Sequence, residues 1–354
     1  MNADFWHGKR VFLTGHTGFK GGWLTLWLTE MGAEVHGYSL SPPTEPNLFT
    51  VANLQARVAS STIADIRDAD SLTRAMQAAR PDVVFHLAAQ PLVRYSYVTP
   101  VETYSVNVMG TVNLLEAVRQ TGSAKAVVNV TTDKCYENRE WVWPYRENES
   151  LGGFDPYSSS KACSELVAAA YRRSFLEPSG IHLASARAGN VIGGGDWAAD
   201  RLLPDFLRAL DAGQTLVIRS PLATRPWQHV LEPLSGYLVL AEKLVTEGRD
   251  FAEAWNFGPD DVDVRPVQWI IETLRMQVPG ASWKCDASPQ PHEANTLKLD
   301  SSKAKARLGW RPRWDLQTAL GMTLDWHQSW EAGANMAAVS VSQIREYRVA
   351  AGQV

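Results

Sequence analysis

The amino-acid sequence predicts an α/β fold, in which a doubly wound parallel sheet carries a smaller mixed C-terminal domain. Two observations lead to this fold class. Short apolar runs alternate with amphipathic stretches through the first half of the chain, and a glycine-rich loop joins the first run to the first amphipathic stretch. This alternation is typical of parallel strands joined by helices that cover both faces of the sheet.

The apolar runs and amphipathic stretches give the expected order of elements. Strands are predicted at residues 10–15, 34–40, 61–66, 82–89, 125–132 and 181–189. Helices are predicted between them, at residues 23–33, 68–79, 106–122 and 157–175.

A change of pattern after residue 189 predicts a domain boundary. A Gly- and Asp-rich loop begins there, and shorter elements follow it. We therefore expect a sheet domain at 1–189, a smaller substrate domain at 190–335 with some interleaving, and a C-terminal tail at 336–354 that forms a terminal helix or frays.

The bulk composition excludes several functional classes. Lys and Arg total 34 against 38 Asp and Glu in 354 residues, a formal charge of −4, which provides no global basic field for nucleic acid. We expect no signal peptide and no membrane span. The three cysteines have no metal-ligand spacing and cannot all pair. We therefore expect no metal, a reducing compartment and a cytoplasmic location.

The loop after the first strand has the pattern G-x-x-G-x-x-G, formed by Gly15, Gly18 and Gly21. Glycines at this spacing permit a tight turn, close approach of the backbone to a pyrophosphate, and close packing of helix on strand. Between a strand and a helix, the pattern predicts the cofactor loop of a Rossmann-type domain.

Three side chains inside this loop are candidate cofactor contacts, namely His16, Phe19 and Lys20. His16 and Lys20 could present a cation to the pyrophosphate. Lys20 could equally be a solvated residue in the first turn of the helix.

Further cofactor contacts are expected where later strands end. Asp65 and Ile66 follow the third strand and could meet the adenine, although Asp65 could equally be a plain helix cap. Leu87, Ala88 and Ala89 follow the fourth strand and could pass under the cofactor. No acid ends the second strand to hold the ribose hydroxyls, and no Arg stands there for a 2′-phosphate, so we expect NAD.

Two polar clusters carry candidate chemistry. Tyr157 and Lys161 are four residues apart at the start of a helix and share one face. An adjacent ammonium and a nicotinamide cation would favour the phenolate, which makes Tyr157 a base for an alcohol. Thr132, Asp133 and Lys134 end the fifth strand. The alternative for Asp133 and Lys134 is a turn cap and a surface lysine.

With these motifs in this order, the chain resembles the extended short-chain dehydrogenases/reductases that act on nucleotide sugars. The resemblance covers about residues 8–330. It rests on T-G-x-x-G-x-x-G, on a Thr after the fifth strand, and on Y-x-x-x-K. It implies that Thr132 hydrogen-bonds the reacting hydroxyl and that Lys161 also holds the nicotinamide ribose.

The residues after Thr132 distinguish the subfamilies. The 4-epimerases usually have a small residue and a "VYG" segment there, and dTDP-glucose dehydratases have Asp-Glu. This chain has Asp133-Lys134. Five stretches, among them "GHTGFKGGWL", "TTDKCYEN" and "RPWQHVLEPLSGYL", resemble the 4,6-dehydratase subfamily that acts on CDP-glucose.

The resemblance implies an NAD-dependent lyase that converts CDP-glucose to its 4-keto-6-deoxy form, a precursor of surface polysaccharide such as O-antigen. Asp133 is then the acid for the C6 hydroxyl. Lys134 is either the base for the C5 hydrogen or the group that orients a water for this step. A 4-epimerase and a catalytically silent dinucleotide-binding scaffold are the alternatives.

Four residues are candidates for binding the nucleotide sugar. Asn190 and Arg225 match positions near the diphosphate, and His292 lies where family members complete the nucleotide pocket. Arg201 is a further candidate, for which a surface arginine is the alternative. The helical stretches 99–120 and 158–175 could pair across a two-fold axis, so we expect a homodimer or a dimer of dimers.

Overall fold

The computed structural model of the chain, which describes residues 2–286, 288, 294–350 and 352, contains a seven-stranded central sheet. The strands of this part of the chain, inside and outside the central sheet, are β1 (Arg10–Thr14), β2 (Glu34–Ser39), β3 (Ser60–Ile63), β4 (Val83–His86), β5 (Ala126–Val130), β6 (His182–Ala188), β7 (Val191–Ile192), β8 (Leu216–Ile218), β9 (Thr224–Pro226), β10 (Gln228–His229), β11 (Ala254–Phe257), β12 (Val264–Pro266) and β13 (Trp283–Cys285).

Helices connect these strands and cover the sheet. They are α1 (Ala3–Trp6), α2 (Phe19–Glu30), α3 (Leu48–Val51), α4 (Ala69–Ala79), α5 (Val93–Val98), α6 (Pro100–Tyr104), α7 (Gly110–Thr121), α8 (Pro156–Tyr171), α9 (Leu202–Asp211), α10 (Leu231–Thr246), α11 (Val267–Gln277), α12 (Leu316–Glu331) and α13 (Met336–Ala350). Within the described residues, no helix combines the length and the apolar character that crossing a membrane would need.

The central sheet confirms the predicted fold class. Its order is β11-β6-β5-β4-β1-β2-β3, and every pairing in it is parallel. All residues of β4 and β5 are buried because helices cover both faces there, whereas β3 at the edge is half exposed. The strands are shorter than the apolar runs that predicted them, because the last residues of each run belong to the loops at the carboxyl edge.

Two later elements return to the sheet after the predicted boundary at residue 189. Helix α10 packs on β5 and β6, and β11 pairs with β6 as the seventh strand. Trp255 and Phe257 of β11 are fully buried, so this strand covers apolar surface at what would otherwise be the sheet edge. Three two-stranded ladders, β7–β10, β8–β13 and β9–β12, lie outside the sheet and mix parallel and antiparallel pairing. The division of the chain into units stays a prediction.

A buried carboxylate on α10 is hydrogen-bonded to two later segments of the chain. Glu232 accepts hydrogen bonds from Arg313 N (3.0 Å), Trp314 N (2.7 Å) and Tyr347 Oη (2.6 Å). Tyr347 belongs to α13, which also packs on α2, so residues 336–350 of the predicted tail form a docked helix. Burial raises the pKa of Glu232 to about 7, and the hydrogen bonds from Tyr347 and Trp314 oppose this shift.

We predict that this carboxyl makes the protein less stable as pH rises. A carboxyl whose pKa is about 7 when folded and 4.5 when unfolded binds more protons in the native state between these pH values. Its contribution is therefore complete below pH 4.5 and is lost as pH rises through 7, by roughly 3 kcal/mol at about 1.4 kcal/mol per pKa unit.

Urea unfolding at a series of pH values tests this prediction. Glu232→Gln should remove that part of the pH dependence. Glu346→Gln, which changes an exposed residue on the same helix as Tyr347, should leave the dependence as in the parent chain. An unaltered pH dependence in Glu232→Gln would contradict the prediction.

Candidate active site

The loops at the carboxyl edge of the sheet enclose a cavity of about 740 Å³. The cavity lies at the point where the strand order reverses between β1 and β4, which is where α/β sheets bind their ligands. All but two of the predicted site residues line it: Gly15, Gly18, Phe19, Lys20, Gly21, Asp65, Ile66, Leu87, Ala88, Ala89, Thr132, Asp133, Lys134, Tyr157, Lys161, Asn190, Arg201 and Arg225. His16 does not line the cavity, and His292 lies outside the described residues.

The glycine loop has the close approaches that a dinucleotide cradle needs. Gly15 has a φ of +79°, and a Cβ there would lie 2.9 Å from the backbone nitrogen of Ala88. A Cβ on Gly21 would lie only 2.0 Å from the carbonyl oxygen of Gly15, so the start of α2 can pack on the loop only with glycine. Helix α2 begins directly after Gly18, which places its unpaired N-terminal N–H groups at the cavity. These residues fit a pyrophosphate-containing cofactor.

The prediction that His16 presents a cation to the pyrophosphate is wrong. Its imidazole is fully buried, and Nε2 lies 2.7 Å from Ser61 Oγ. Burial lowers the pKa of His16 to about 4, so the ring is neutral. The ring occupies the space above Gly37 of β2, where a Cβ would lie 2.3 Å from it. A glycine inside an otherwise regular strand was the sequence signal for this packing.

Lys20 is the cation that reaches the cavity. Burial, together with the nearby Arg201 and Lys161, lowers the pKa of Lys20 to about 8, while Asp133 and Asp196 act in the opposite direction. The side chain therefore lies near the charged groups of the cavity, which favours a phosphate contact over a solvated first-turn lysine.

The adenosine end of the candidate cradle is formed by hydroxyls and by one paired acid. Thr17 Oγ1 lies 2.8 Å from Ser39 Oγ at the end of β2, where the family pattern has an acid. Asp65 lines the cavity, but Arg67 holds its carboxylate through Nε (3.0 Å) and the backbone N–H (2.8 Å). Asp65 is therefore not the helix cap that the alternative proposed, because Asp68 caps α4, and Asp65 instead lines the cavity while paired with Arg67.

Thr132 lies at the centre of the candidate catalytic group. Its Oγ1 donates to Asp133 Oδ1 (3.0 Å) and accepts from Lys134 N (3.3 Å), and the Thr132 hydroxyl lies near enough to Tyr157 to lower the pKa of that phenol. A short 3-10 turn over Asp133–Cys135 follows the extended Thr132, and this turn brings the carboxylate back into the cavity. Lys161 Nζ donates to the carbonyl oxygen of Val130 at 3.2 Å.

Helix α8 begins at a defined residue, which places both members of the Y-x-x-x-K pair. Asp155 caps it by accepting from Ser158 N at 2.9 Å, and Pro156 occupies the first turn. Tyr157 and Lys161 therefore lie on the cavity side of the first two turns.

Burial dominates the titration of these groups. It raises the pKa of Tyr157 to about 12, against the hydrogen bond from Thr132, and lowers the pKa of Lys161 to about 8, against Glu165. Burial also raises the pKa of Asp133, although Lys134, Thr132 and Arg225 pull it down. Burial therefore acts against both the Tyr157 phenolate and the Asp133 carboxylate, and the expected phenolate depends on a bound cation.

One oxygen of Asp133, the buried Oδ2, has no hydrogen-bond partner among the described residues. It lies beside Gly189, where a Cβ would be 3.0 Å away. A protonated carboxyl in this position can donate to a group in the cavity.

The predicted substrate residues surround the far side of the cavity. Arg225 is buried and donates to the carbonyl oxygens of Thr224 (3.0 Å) and Asn295 (3.1 Å). Arg201 is paired with Asp196 at 2.8 Å. The sequence analysis missed Asp196, whose nearly buried carboxylate holds Arg201 in the cavity. An acid directly after the three glycines of the Gly- and Asp-rich loop was the available signal.

The sequence analysis also missed a buried ion pair below the cavity, between Glu165 of α8 and Arg187 of β6. Two signals were available. Glu165 lies four residues after Lys161, on the same helix face, and Arg187 is a charged residue within a predicted strand of the central sheet.

Comparison with known proteins agrees with this site. The family model described as GDP-mannose 4,6 dehydratase matches residues 12–323. A CDP-glucose 4,6-dehydratase of Salmonella typhimurium is 57% identical over 353 residues, which are 98% of this chain and 98% of that protein. A dTDP-glucose 4,6-dehydratase of Xanthomonas campestris is 27% identical over 91% of this chain and 94% of its own length.

Solved structures agree with the fold. The UDP-glucose 4-epimerase of Thermotoga maritima with UDP-glucose has a TM-score of 0.78 at 24% identity, and covers 91% of this chain and 99% of its own. The dTDP-glucose 4,6-dehydratase of Bacillus anthracis in complex with NAD has a TM-score of 0.75 at 21% identity, and covers 92% and 99%. The chain belongs to the GDP-mannose 4,6-dehydratase family, in agreement with its resemblance to the extended short-chain dehydrogenases/reductases.

Proposed function

We propose that this chain catalyses the 4,6-dehydration of CDP-glucose with bound NAD, as a hydro-lyase. The observation that carries the proposal is the buried Asp133 with its free Oδ2, hydrogen-bonded to Thr132 beside Tyr157. Oxidation and reduction at C4 alone need no second acid, whereas loss of the C6 hydroxyl does. The choice of CDP-glucose is supported by the name of the Salmonella relative at 57% identity.

NAD fits the cradle formed by Gly15, Gly18 and the start of α2, and Lys161, which lines the same cavity, would hold its nicotinamide ribose. When bound, NAD supplies a hydride acceptor for C4 and a hydride donor for C6. Lys20 supports the binding of phosphates, because it is the cation at the start of α2 that faces the cavity.

The first chemical task belongs to Tyr157, whose phenolate oxygen takes the proton of the C4 hydroxyl. Tyr157 and Thr132 both line the cavity, and the Thr132 hydroxyl favours the phenolate by lowering the pKa of Tyr157. Since burial raises the pKa of Tyr157 to about 12, positive charge from Lys161 and the oxidised cofactor is needed to favour the phenolate.

The second task is the removal of water across C5 and C6. The C4 ketone acidifies the C5 hydrogen, which Lys134 takes directly or through an oriented water. Asp133 gives its proton to the departing C6 hydroxyl, and the C5 proton is returned once C6 has been reduced. Over one turnover, the proton taken from the C4 hydroxyl balances the proton that leaves with the water.

We infer that the chain forms a homodimer, alone or within a dimer of dimers. Val98, Val101, Met109 and Leu166 are between 50% and 82% exposed, and they lie on adjacent helical segments around α6 and α8. A second copy of the chain would cover these apolar side chains across a two-fold axis.

Leu166→Glu should shift the mass measured by light scattering to that of a monomer, and an unchanged mass would contradict this assembly. The cytoplasmic location stays a prediction.

Asp133→Asn should separate oxidation from dehydration. The amide keeps the shape of the side chain but has no acidic proton, so reduced nicotinamide should form while the 4-keto-6-deoxy product falls by about 10²–10⁴-fold. Nicotinamide absorbance and product formation from CDP-glucose measure the two steps. Asp325→Asn, an exposed change on α12, is the control, and full dehydration by Asp133→Asn would remove Asp133 from the mechanism.

Lys134→Met should stop the exchange of the C5 hydrogen with solvent. The thioether cannot take a proton or orient a water, whereas C4 oxidation depends on Tyr157. Mass spectrometry of the sugar in deuterated water measures this exchange. Lys125→Met changes an exposed lysine at the opposite end of β5 and should exchange normally. Normal C5 exchange and dehydration in Lys134→Met would exclude both roles of this lysine.

A further inference from the structure

We propose that the buried ion pair between Glu165 and Arg187 is the positioning element of the catalytic segment, residues 131–136, and holds this segment at both ends. The inference rests on the proposed function, because it assigns the roles of Thr132, Asp133 and Lys134 to this segment. Neither member of the pair lines the cavity, so both act through other residues.

Glu165 holds the first end of the segment. Thr131 Oγ1 donates to Glu165 Oε1 at 2.5 Å, and Thr131 N donates to the carbonyl oxygen of Ala186 at 2.9 Å. Glu165 lies one turn after Lys161 on α8, and Lys161 itself bonds to Val130. The register between α8 and the end of β5 is therefore set by side chains immediately before Thr132.

Arg187 holds the second end. Its Nη1 donates to the phenolic oxygen of Tyr136 at 2.8 Å, and its guanidinium lies over the Tyr136 ring at 4.9 Å. The Tyr136 hydroxyl in turn donates to Asn256 Oδ1 of β11 at 2.7 Å. The segment can therefore move relative to the sheet only if these contacts break.

The two ends are joined by a bidentate contact. Arg187 Nε and Nη2 donate to the two oxygens of Glu165 at 2.9 and 3.0 Å, and the side chains are only 4% and 3% exposed. A buried pair with this geometry has little net stability advantage over an apolar pair of similar size, because desolvation offsets the attraction. What the pair adds is a fixed relative orientation of α8 and β6, because the planar guanidinium of Arg187 can bond both oxygens of Glu165 only within a narrow range of orientations.

The pair also acts on Lys161 through space. Burial lowers the pKa of Lys161 to about 8, and the charge of Glu165 is the main influence against it. Without Glu165, the ammonium loses its proton at a lower pH. A purely structural pair would leave this titration unchanged.

The test is a double variant, Glu165→Leu with Arg187→Met, which removes both charges and leaves no buried charge unpaired. We expect a urea midpoint close to that of the parent chain and a KM for CDP-glucose within a few-fold of it, since its nucleotide is held by other elements. We expect kcat to fall about 10²-fold, as for a small misplacement of catalytic groups. The alkaline limb of the kcat profile should move to lower pH as Lys161 loses its proton earlier.

Two further variants keep the test decisive. Glu116→Gln with Arg119→Gln removes an exposed ion pair on α7 and should change neither kcat nor its pH profile. Tyr136→Phe removes one hydroxyl and leaves the ion pair in place, so kcat should fall several-fold with the alkaline limb unmoved. If the double variant does not fold, Tyr136→Phe decides the question.

Parental kcat and pH profile in a folded double variant, or parental kcat in Tyr136→Phe, would overturn the proposal. The parent chain is assayed first with CDP-glucose and with other nucleotide sugars. If the parent chain turns over another nucleotide sugar but not CDP-glucose, the proposed substrate is rejected. The positioning test is then carried out with the nucleotide sugar that is turned over.

Discussion

The ion pair between Glu165 and Arg187 is the constraint on which the arrangement of the site depends. It joins α8, which carries Tyr157 and Lys161, to β6, and through Thr131 and Tyr136 it reaches the loop after β5. These three elements are separated in sequence and meet only in the folded chain. A bidentate contact in a water-free interior resists rotation and sliding of α8 against β6. The candidate catalytic groups on these elements and on the loop after β5 therefore keep their relative positions.

The same dry interior sets the charge of the cavity. Burial shifts the pKa of Asp133 and Tyr157 upward and that of Lys20 and Lys161 downward, which in each case favours the neutral form. In the unliganded site, burial therefore opposes the Tyr157 phenolate and the Lys161 ammonium that the chemistry needs, and it favours the protonated Asp133 that the proposed acid requires. A cationic nicotinamide and an anionic diphosphate would supply opposite charges on the two sides of this cluster. The bound ligands would thereby stabilise charged side chains that burial alone disfavours.

The part of the chain after β6 covers the cavity and also contacts the elements that carry the site residues. Strand β11 supplies Asn256 to the anchor of Tyr136, and α10 supplies Glu232, which holds α13 through Tyr347. Helix α13 packs on α2, the helix that begins at the glycine loop. The C-terminal helix therefore lies behind the cofactor loop, and the two predicted domains share contacts that neither part could make alone.

The sequence by itself predicted six of the seven strands of the sheet, the glycine loop and the residues of the candidate catalytic group. Local patterns carry these features, because strand periodicity, glycine spacing and Y-x-x-x-K lie within a few neighbouring residues. Only the tertiary structure decided the neutral, buried state of His16, the turn of Lys20 into the cavity, the return of β11 to the sheet, and the pairing of Glu165 with Arg187. The physical reason is that burial and charge pairing depend on residues distant in sequence, so a side chain's protonation and direction are settled only when those residues meet.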